Sequence, residues 1–152
     1  MKQPYKLRKV YDVGDGNKII VLVHGIGARG QYWQPLVTVL KSNNVRIIVY
    51  DLLGFGISPQ PDWLEYSVAE HTKSLIKSID ADIGRKRTFS IVGHSMGCLI
   101  ATHLSATKPA RVDMLILYEP PLLIDRKYSL ELHKKLYLYL STRPPLLVNY
   151  GP

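Results

Sequence analysis

One cysteine stands in 152 residues, Cys98, and that scarcity removes two classes of protein at once. A chain with a single thiol cannot close an internal disulfide, and it cannot build a zinc site from clustered cysteines. A reducing compartment, the cytoplasm, is the expected setting. Long apolar runs are missing as well. Stretches such as residues 19–23 and 114–118 are far too short to cross a bilayer, and the opening MKQPYKLRKV has charges with no apolar signal core behind them. Stable membrane insertion is therefore not expected. No repeat or low-complexity tract interrupts the chain. Lys and Arg number 20 against 12 Asp and Glu, a formal charge of +8, but the excess is dispersed over Lys6, Arg8 and Lys9, then Arg85, Lys86 and Arg87, then Lys134 and Lys135. There is no basic helix, and no basic sheet with interleaved aromatics, so the charge reads as solubility and nucleic acid is not an expected partner.

What is present is the material of one domain with a real core, 46% hydrophobic and 21% charged residues. Residues 6–11 read as a strand, and Gly14-Asp15-Gly16-Asn17 is a strong turn before the buried-strand run KIIVLVH, so the chain is expected to open as a hairpin. Residues 32–41 place Tyr32, Trp33, Leu36, Val37 and Leu40 at helical spacing, with Pro35 tolerable in the first turn. A second apolar strand, RIIVYD, ends at Asp51. Residues 54–65, with two glycines and two prolines, form a loop. Ser67-Val68-Ala69-Glu70 is then a capping box for a helix running to about residue 83, with Val68, Leu75, Ile76, Ile79 and Ile83 as its buried stripe. TFSIVG is a third buried strand, residues 96–107 a helix, and VDMLILY a fourth. This alternation predicts an α/β fold, a mainly parallel sheet with helices on both faces. Sites in such sheets lie at strand C-terminal ends, here the loops after His24, Asp51, Gly93 and Tyr118.

Two of those loops carry anion-binding patterns. Gly25-Ile26-Gly27-Ala28-Arg29-Gly30 fits the G-x-G-x-x-G of a dinucleotide turn, with Asp51 about where a ribose-binding acid belongs. Gly93-His94-Ser95-Met96-Gly97 matches G-x-S-x-G, in which a serine sits on a strained strand-to-helix turn. The N–H of Met96 would lie at a helix N-terminus, where unpaired donors favour a negative oxygen, and the glycines Gly25 and Gly27 let the backbone of Ile26 face the same point. The two patterns compete. In a dinucleotide turn the third glycine packs a helix directly on the strand, whereas Gly30 is followed by Gln31-Tyr32-Trp33-Gln34-Pro35, which suggests a later helix start.

The blocks VLVHGIG, YDLLGFGISPQP, YSVAEHTKSL, IVGHSMG and LILYEPP, in this order, resemble the N-terminal part of the α/β-hydrolase superfamily over most of residues 19–121. The resemblance implies that Ser95 is the nucleophile, that the backbone N–H groups of Ile26 and Met96 form the oxyanion hole, and that Asp51 is structural. No cofactor and no metal are expected. It also divides the chain into residues 1–124, the N-terminal part of the core, and residues 125–152, the start of a helical lid.

A serine hydroxyl needs a histidine to take its proton and an acid to orient that histidine, which follow the serine in the order acid, then histidine, in this fold. Glu119, directly after the fourth strand, is the candidate acid. His133 is the one histidine after it, on the amphipathic segment SLELHKKLYLYL with Leu132, Leu136, Leu140, Tyr137 and Tyr139, which resembles the first helix of a lid. His24 and His94 occupy positions that the superfamily uses for loop structure, and His71 and His103 are expected on helices as packing or surface residues. The family's later strands and late histidine are absent from these 152 residues, so an incomplete fold is expected, with the fourth strand as an exposed apolar edge open to self-association or to a complementing chain. Three functions stay open from the residues, the first two being a serine hydrolase acting on a small carboxylic ester or similar acyl substrate, and a catalytically deficient remnant or interaction module. Dinucleotide binding is the third.

Overall fold

The computed structural model describes residues 4–41 and 44–121. The lid segment and His133 lie outside them. The elements, in chain order, are strand β1 (Lys9–Val13), strand β2 (Lys18–Val23), helix α1 (Gln34–Leu40) behind a 3-10 turn at Gly30–Trp33, strand β3 (Val45–Tyr50), helix α2 (Val68–Ile83), strand β4 (Phe89–His94), helix α3 (Met96–Thr107) and strand β5 (Val112–Tyr118). The sheet order is β1-β3-β2-β4-β5, with every neighbouring pair parallel except β1 and β3.

That exception corrects the expected hairpin. β2 has β3 on one side and β4 on the other, so it has no free edge for β1. Instead the Gly14–Asn17 turn carries the chain past the start of β3, and β1 runs back along β3 with Lys9 opposite Tyr50 and Val13 opposite Ile47. The turn glycines are needed for that passage: a Cβ on Gly14 would overlap the carbonyl of Val45, and one on Gly16 the carbonyl of Asn44. The Arg46 guanidinium, 2.8 Å from Asp12, fastens the pairing and pulls the Asp12 carboxyl down to about 2.

Side chains of a strand alternate between faces, and the two cores follow that period. Ile19, Val21 and Val23 of β2, Ile48 and Tyr50 of β3, and Phe89 and Ile91 of β4 face Leu75, Ile79 and Ile83 of α2 and Ile100, Ala101 and Leu104 of α3. Leu22, Ile47, Val49 and Val92, from the opposite face, pack on Trp33 and Val37. The helix over residues 68–83 starts as its sequence predicts: Ser67 Oγ accepts from the Glu70 N–H, and the Glu70 carboxylate accepts from the Ser67 N–H at 2.9 Å. α1 proper begins at Gln34 with Pro35 in its first turn, which leaves room for the 3-10 turn before it. Among the described residues no helix is long and apolar enough to cross a membrane.

Candidate active site

β4 ends in His94 and α3 begins at Met96, which leaves one residue, Ser95, to turn the chain from strand to helix. It does so at φ 50° and ψ −118°, a conformation that side chains with a Cβ rarely adopt. Three contacts hold it there. The Ser95 N–H donates to the Tyr118 carbonyl at 3.1 Å, which ties the bend to the end of β5. The Ser95 carbonyl accepts from the Cys98 N–H at 2.9 Å. The flanking glycines let the backbones close up: a Cβ on Gly97 would overlap the Val23 carbonyl, and one on Gly93 would stand 2.7 Å from the Gly97 carbonyl carbon. Cys98, three residues on, is buried with its Sγ within reach of the carbonyls of Gly93 (3.0 Å) and Tyr118 (3.3 Å), and burial pushes its thiol up.

The bend leaves Ser95 half-buried, and among the described residues its hydroxyl has no hydrogen-bond partner. Met96 follows as the first residue of α3, so its N–H belongs to the set of helix-start donors without an intrahelical acceptor. The loop after β2 comes up against the same point. A Cβ on Gly25 would lie 3.0 Å from Ser95 Cβ, closer than side chains ordinarily pack, so glycine suits the close approach there. Ile26 is next in that loop and 45% exposed, and Gly27 at φ 73° turns the chain back.

Distant residues fix the loop's shoulders. Asp51, fully buried at the end of β3, accepts from the Gly30 N–H at 2.7 Å through one carboxylate oxygen and from the Ile57 N–H at 3.0 Å through the other. Its oxygens are thus spent inside the protein. Gly30 is small because a Cβ there would stand 2.6 Å from a methyl of Val10, so the third glycine of the G-x-G-x-x-G pattern makes room for β1. His24 is fully buried, its Nε2 accepting from the Leu52 N–H at 3.0 Å, which puts the proton on Nδ1 for donation to the Gly25 carbonyl at 2.8 Å. Burial lowers its pKa and keeps it neutral.

The other histidines separate in the same way. His71 is buried on α2 against Phe55 and Tyr66, and burial pulls its pKa down to about 4. His103 Nδ1 lies 3.1 Å from Thr72 Oγ1. His94 stacks on Tyr32, and its Nε2 lies 3.3 Å from the carboxylate of Glu119. Glu119 itself follows β5 at φ 50° with a side chain 67% exposed. Of the residues singled out from sequence, the fold therefore gathers Gly25, Ile26, Gly27, Gly93, Ser95, Met96, Gly97 and Glu119 at the C-terminal ends of β2, β4 and β5. No histidine among the described residues hydrogen-bonds Ser95, and His133 lies outside them. The sequence reading missed the contacts of Tyr32, Trp33 and Tyr118 with His94; the first two stood out only as part of a helical stripe, and no spacing rule links them to residue 94.

A serine at a strained strand-to-helix bend, crowded by a glycine loop from the neighbouring parallel strand, defines the scaffold class as that of the hydrolase-type α/β sheets. The chain belongs to the alpha/beta hydrolase fold family, whose sequence pattern matches residues 18–140. It is 34% identical over 106 residues to the Arabidopsis thaliana protein named "Probable lysophospholipase BODYGUARD 2", covering 67% of this chain and 22% of that one. It is 40% identical over 97 residues to the pimeloyl-[acyl-carrier protein] methyl ester esterase of Legionella pneumophila (strain Lens), covering 64% of this chain and 36% of the other. Among solved structures a marine microorganism esterase superposes with a TM-score of 0.75 at 23% identity, over 93% of this chain and 52% of that one, which shows the shared fold. The chain thus spans a fifth to a third or so of these curated relatives and about half of that structure.

Proposed function

We propose that this chain carries the nucleophile-bearing part of a serine hydrolase acting on a carboxylic ester or a similar acyl substrate, with Ser95 as nucleophile and the N–H groups of Ile26 and Met96 as oxyanion donors. The observation that carries the reading is the Ser95 bend itself: a costly backbone conformation, fixed by glycines packed on backbone, at a point where a second loop comes so near that a Cβ on Gly25 would lie 3.0 Å from Ser95 Cβ. Names of relatives that include a methyl ester esterase and a lysophospholipase support the ester class.

In this reading Ser95 Oγ attacks the acyl carbon and forms the Oγ–C bond, while the carbonyl electron pair moves onto oxygen and meets the two N–H donors. Collapse of the tetrahedral intermediate breaks the bond to the leaving alkoxide, which takes up a proton and departs as the alcohol. Water then hydrolyses the acyl-serine. The proton on Oγ needs an acceptor, and chain order makes His133 the candidate. A site stripped of its base retains about 10³ to 10⁴-fold catalysis over water from binding and the oxyanion hole, so His133→Ala is expected to leave a trace of activity. The free thiol supports a reducing compartment such as the cytoplasm.

A fluorophosphonate probe tests the assignment, since it forms an Oγ–P bond with loss of fluoride. Labelling of the wild type and none of Ser95→Ala is expected. Folded wild type that takes no label overturns the reading.

A second reading has its own observation. β5 is a sheet edge among the described residues and exposes Met114 (57%), Ile116 (44%) and Tyr118 (49%), an apolar edge on which another strand can pair. Self-association or a complementing chain through that edge is its content. Sedimentation at rising concentration would show a growing dimer fraction if it holds and a constant monomer if it does not.

A further inference from the structure

The glycines of G-x-S-x-G make the bend, but nothing in the bend demands an aromatic base before the serine. Here that residue is His94, and its ring stands where three elements meet. It lies face to face with Tyr32, with centroids 4.7 Å apart and planes at 12°, edge-on to Trp33 at 6.4 Å, and tilted against Tyr118 at 5.3 Å. Its Nε2 is 3.3 Å from Glu119 Oε2. A carboxylate can only accept, so Nε2 is the donor in this contact. Nδ1 is buried on the side of the β2 loop, where a Cβ on Gly25 would lie 3.2 Å from it.

The loop it touches has little packing of its own at the tip. Ile26 is exposed, and a Cβ on Gly27 would meet nothing within 4 Å. The tip's placement must come from its shoulders. One shoulder, Gly30, is tied by Asp51 to β3. The other, Tyr32 and Trp33, meets the element that bears Ser95 through the imidazole of His94.

We propose that His94 is a positioning residue: held by Glu119 through Nε2 and stacked on Tyr32, it sets the loop carrying Ile26 against Ser95. This rests on the reading of Ser95 as nucleophile and of the Ile26 N–H as oxyanion donor. It also gives Glu119 a role other than that of triad acid, since its carboxylate fixes the ring that aligns the loop.

The test is the second-order rate constant for fluorophosphonate labelling of the full chain, measured with thermal midpoints and with the ¹⁵N shifts of the imidazoles. Misplacing a catalytic group by an ångström costs about 10²-fold, so His94→Ala should slow labelling by about ten- to a hundredfold while the fold persists. Glu119→Ala should slow it less and convert His94 from a single Nε2–H tautomer to a mixture. Glu119→Gln should restore both, because an amide oxygen still accepts the Nε2–H bond. A triad acid would behave otherwise, with Glu119→Gln losing as much as Glu119→Ala. Should His94→Ala fail to fold, Tyr32→Leu and the Glu119 pair carry the decision. Wild type that labels while Tyr32→Leu and Glu119→Ala label at the same rate overturns the positioning role alone, as does Glu119→Gln that matches Glu119→Ala. Wild type that never labels removes the Ser95 reading and this proposal with it, whereas the imidazole shifts would still report the Glu119 bond.

Discussion

The bend after β4 and the loop after β2 both use glycines at the C-terminal end of a parallel strand, yet they hold their shapes by different means. In the bend, backbone presses on backbone. Gly97 faces the carbonyls of Val23 and His24, and Gly93 faces Gly97 and Cys98, so the sterics are local to the elbow and the strand beside it. In the loop, the tip glycine is open around its Cα, and the shape comes from side chains of other elements, the Asp51 carboxylate and the His94 ring. A turn whose glycines must sit against neighbouring backbone carries them as a short motif. A loop fixed by distant side chains does not, because its determinants are scattered along the chain.

The sharpest way to break this comparison is to put the same methyl group into both. In Gly97→Ala the new Cβ meets two backbone carbonyls that cannot step aside without moving β2, so the loss should be about 3 kcal/mol or more, at the upper end of overpacking costs. For a chain of this size that lowers the thermal midpoint by roughly 6–12 °C. Gly27→Ala has room, and only the left-handed backbone at φ 73° opposes it, about 1 kcal/mol. Equal midpoints for the two variants would mean that the bend is not held by backbone sterics.

The same contrast explains what could be read in advance. The capping box at Ser67, the stripe of α2, the bounds of α3 and of β5, and the G-x-S-x-G bend were all legible, because each announces itself in residues close together in the chain, whatever distant contacts then hold it. The partner of β1 was not. A Gly-Asp-Gly-Asn turn is equally good chemistry for a hairpin or for a crossing, and the choice was made by β4 occupying the far side of β2. Asp51 shows the same limit: the G-x-G-x-x-G pattern and an acid at the next strand end are there in the sequence, but the acid turns inward to the loop's own N–H groups. Glu119 was legible as a carboxylate after β5, and its contact with His94 was not.

The loop's dependence on a distant carboxylate is the next point to press. Asp51→Asn keeps the size and one carbonyl oxygen but turns an NH₂ group toward one of the two N–H donors, Gly30 and Ile57. Hydrogen bonds to charged groups contribute about 1.5–3 kcal/mol, so a loss of about 2 kcal/mol is expected in urea unfolding. Hydrogen exchange should rise at Gly30 and Ile57 and stay unchanged at Cys98, whose N–H belongs to the bend. Exchange that rises equally at all three amides would show that loop and bend open as one unit, which the comparison denies.

The smallest expected effect concerns the bend's strain, and it runs toward stability. Ser95 at φ 50° and ψ −118° occupies a region that costs a non-glycine residue about 1–3 kcal/mol. Glycine adopts it freely but loses more chain entropy on folding, about 0.5–1 kcal/mol, so Ser95→Gly should gain roughly 1 kcal/mol net. Ser95→Ala keeps the Cβ and hence the strain, and should stay within about 0.5 kcal/mol of the wild type. The pair separates conformation from the hydroxyl, because both variants lose the hydroxyl and only one is relieved. A urea midpoint that rises in Ser95→Gly but not in Ser95→Ala means that the fold gives up stability to hold a side chain at this position. Identical midpoints would mean that the bend is relaxed with serine in it, and the case for a nucleophile would then rest on its neighbours alone.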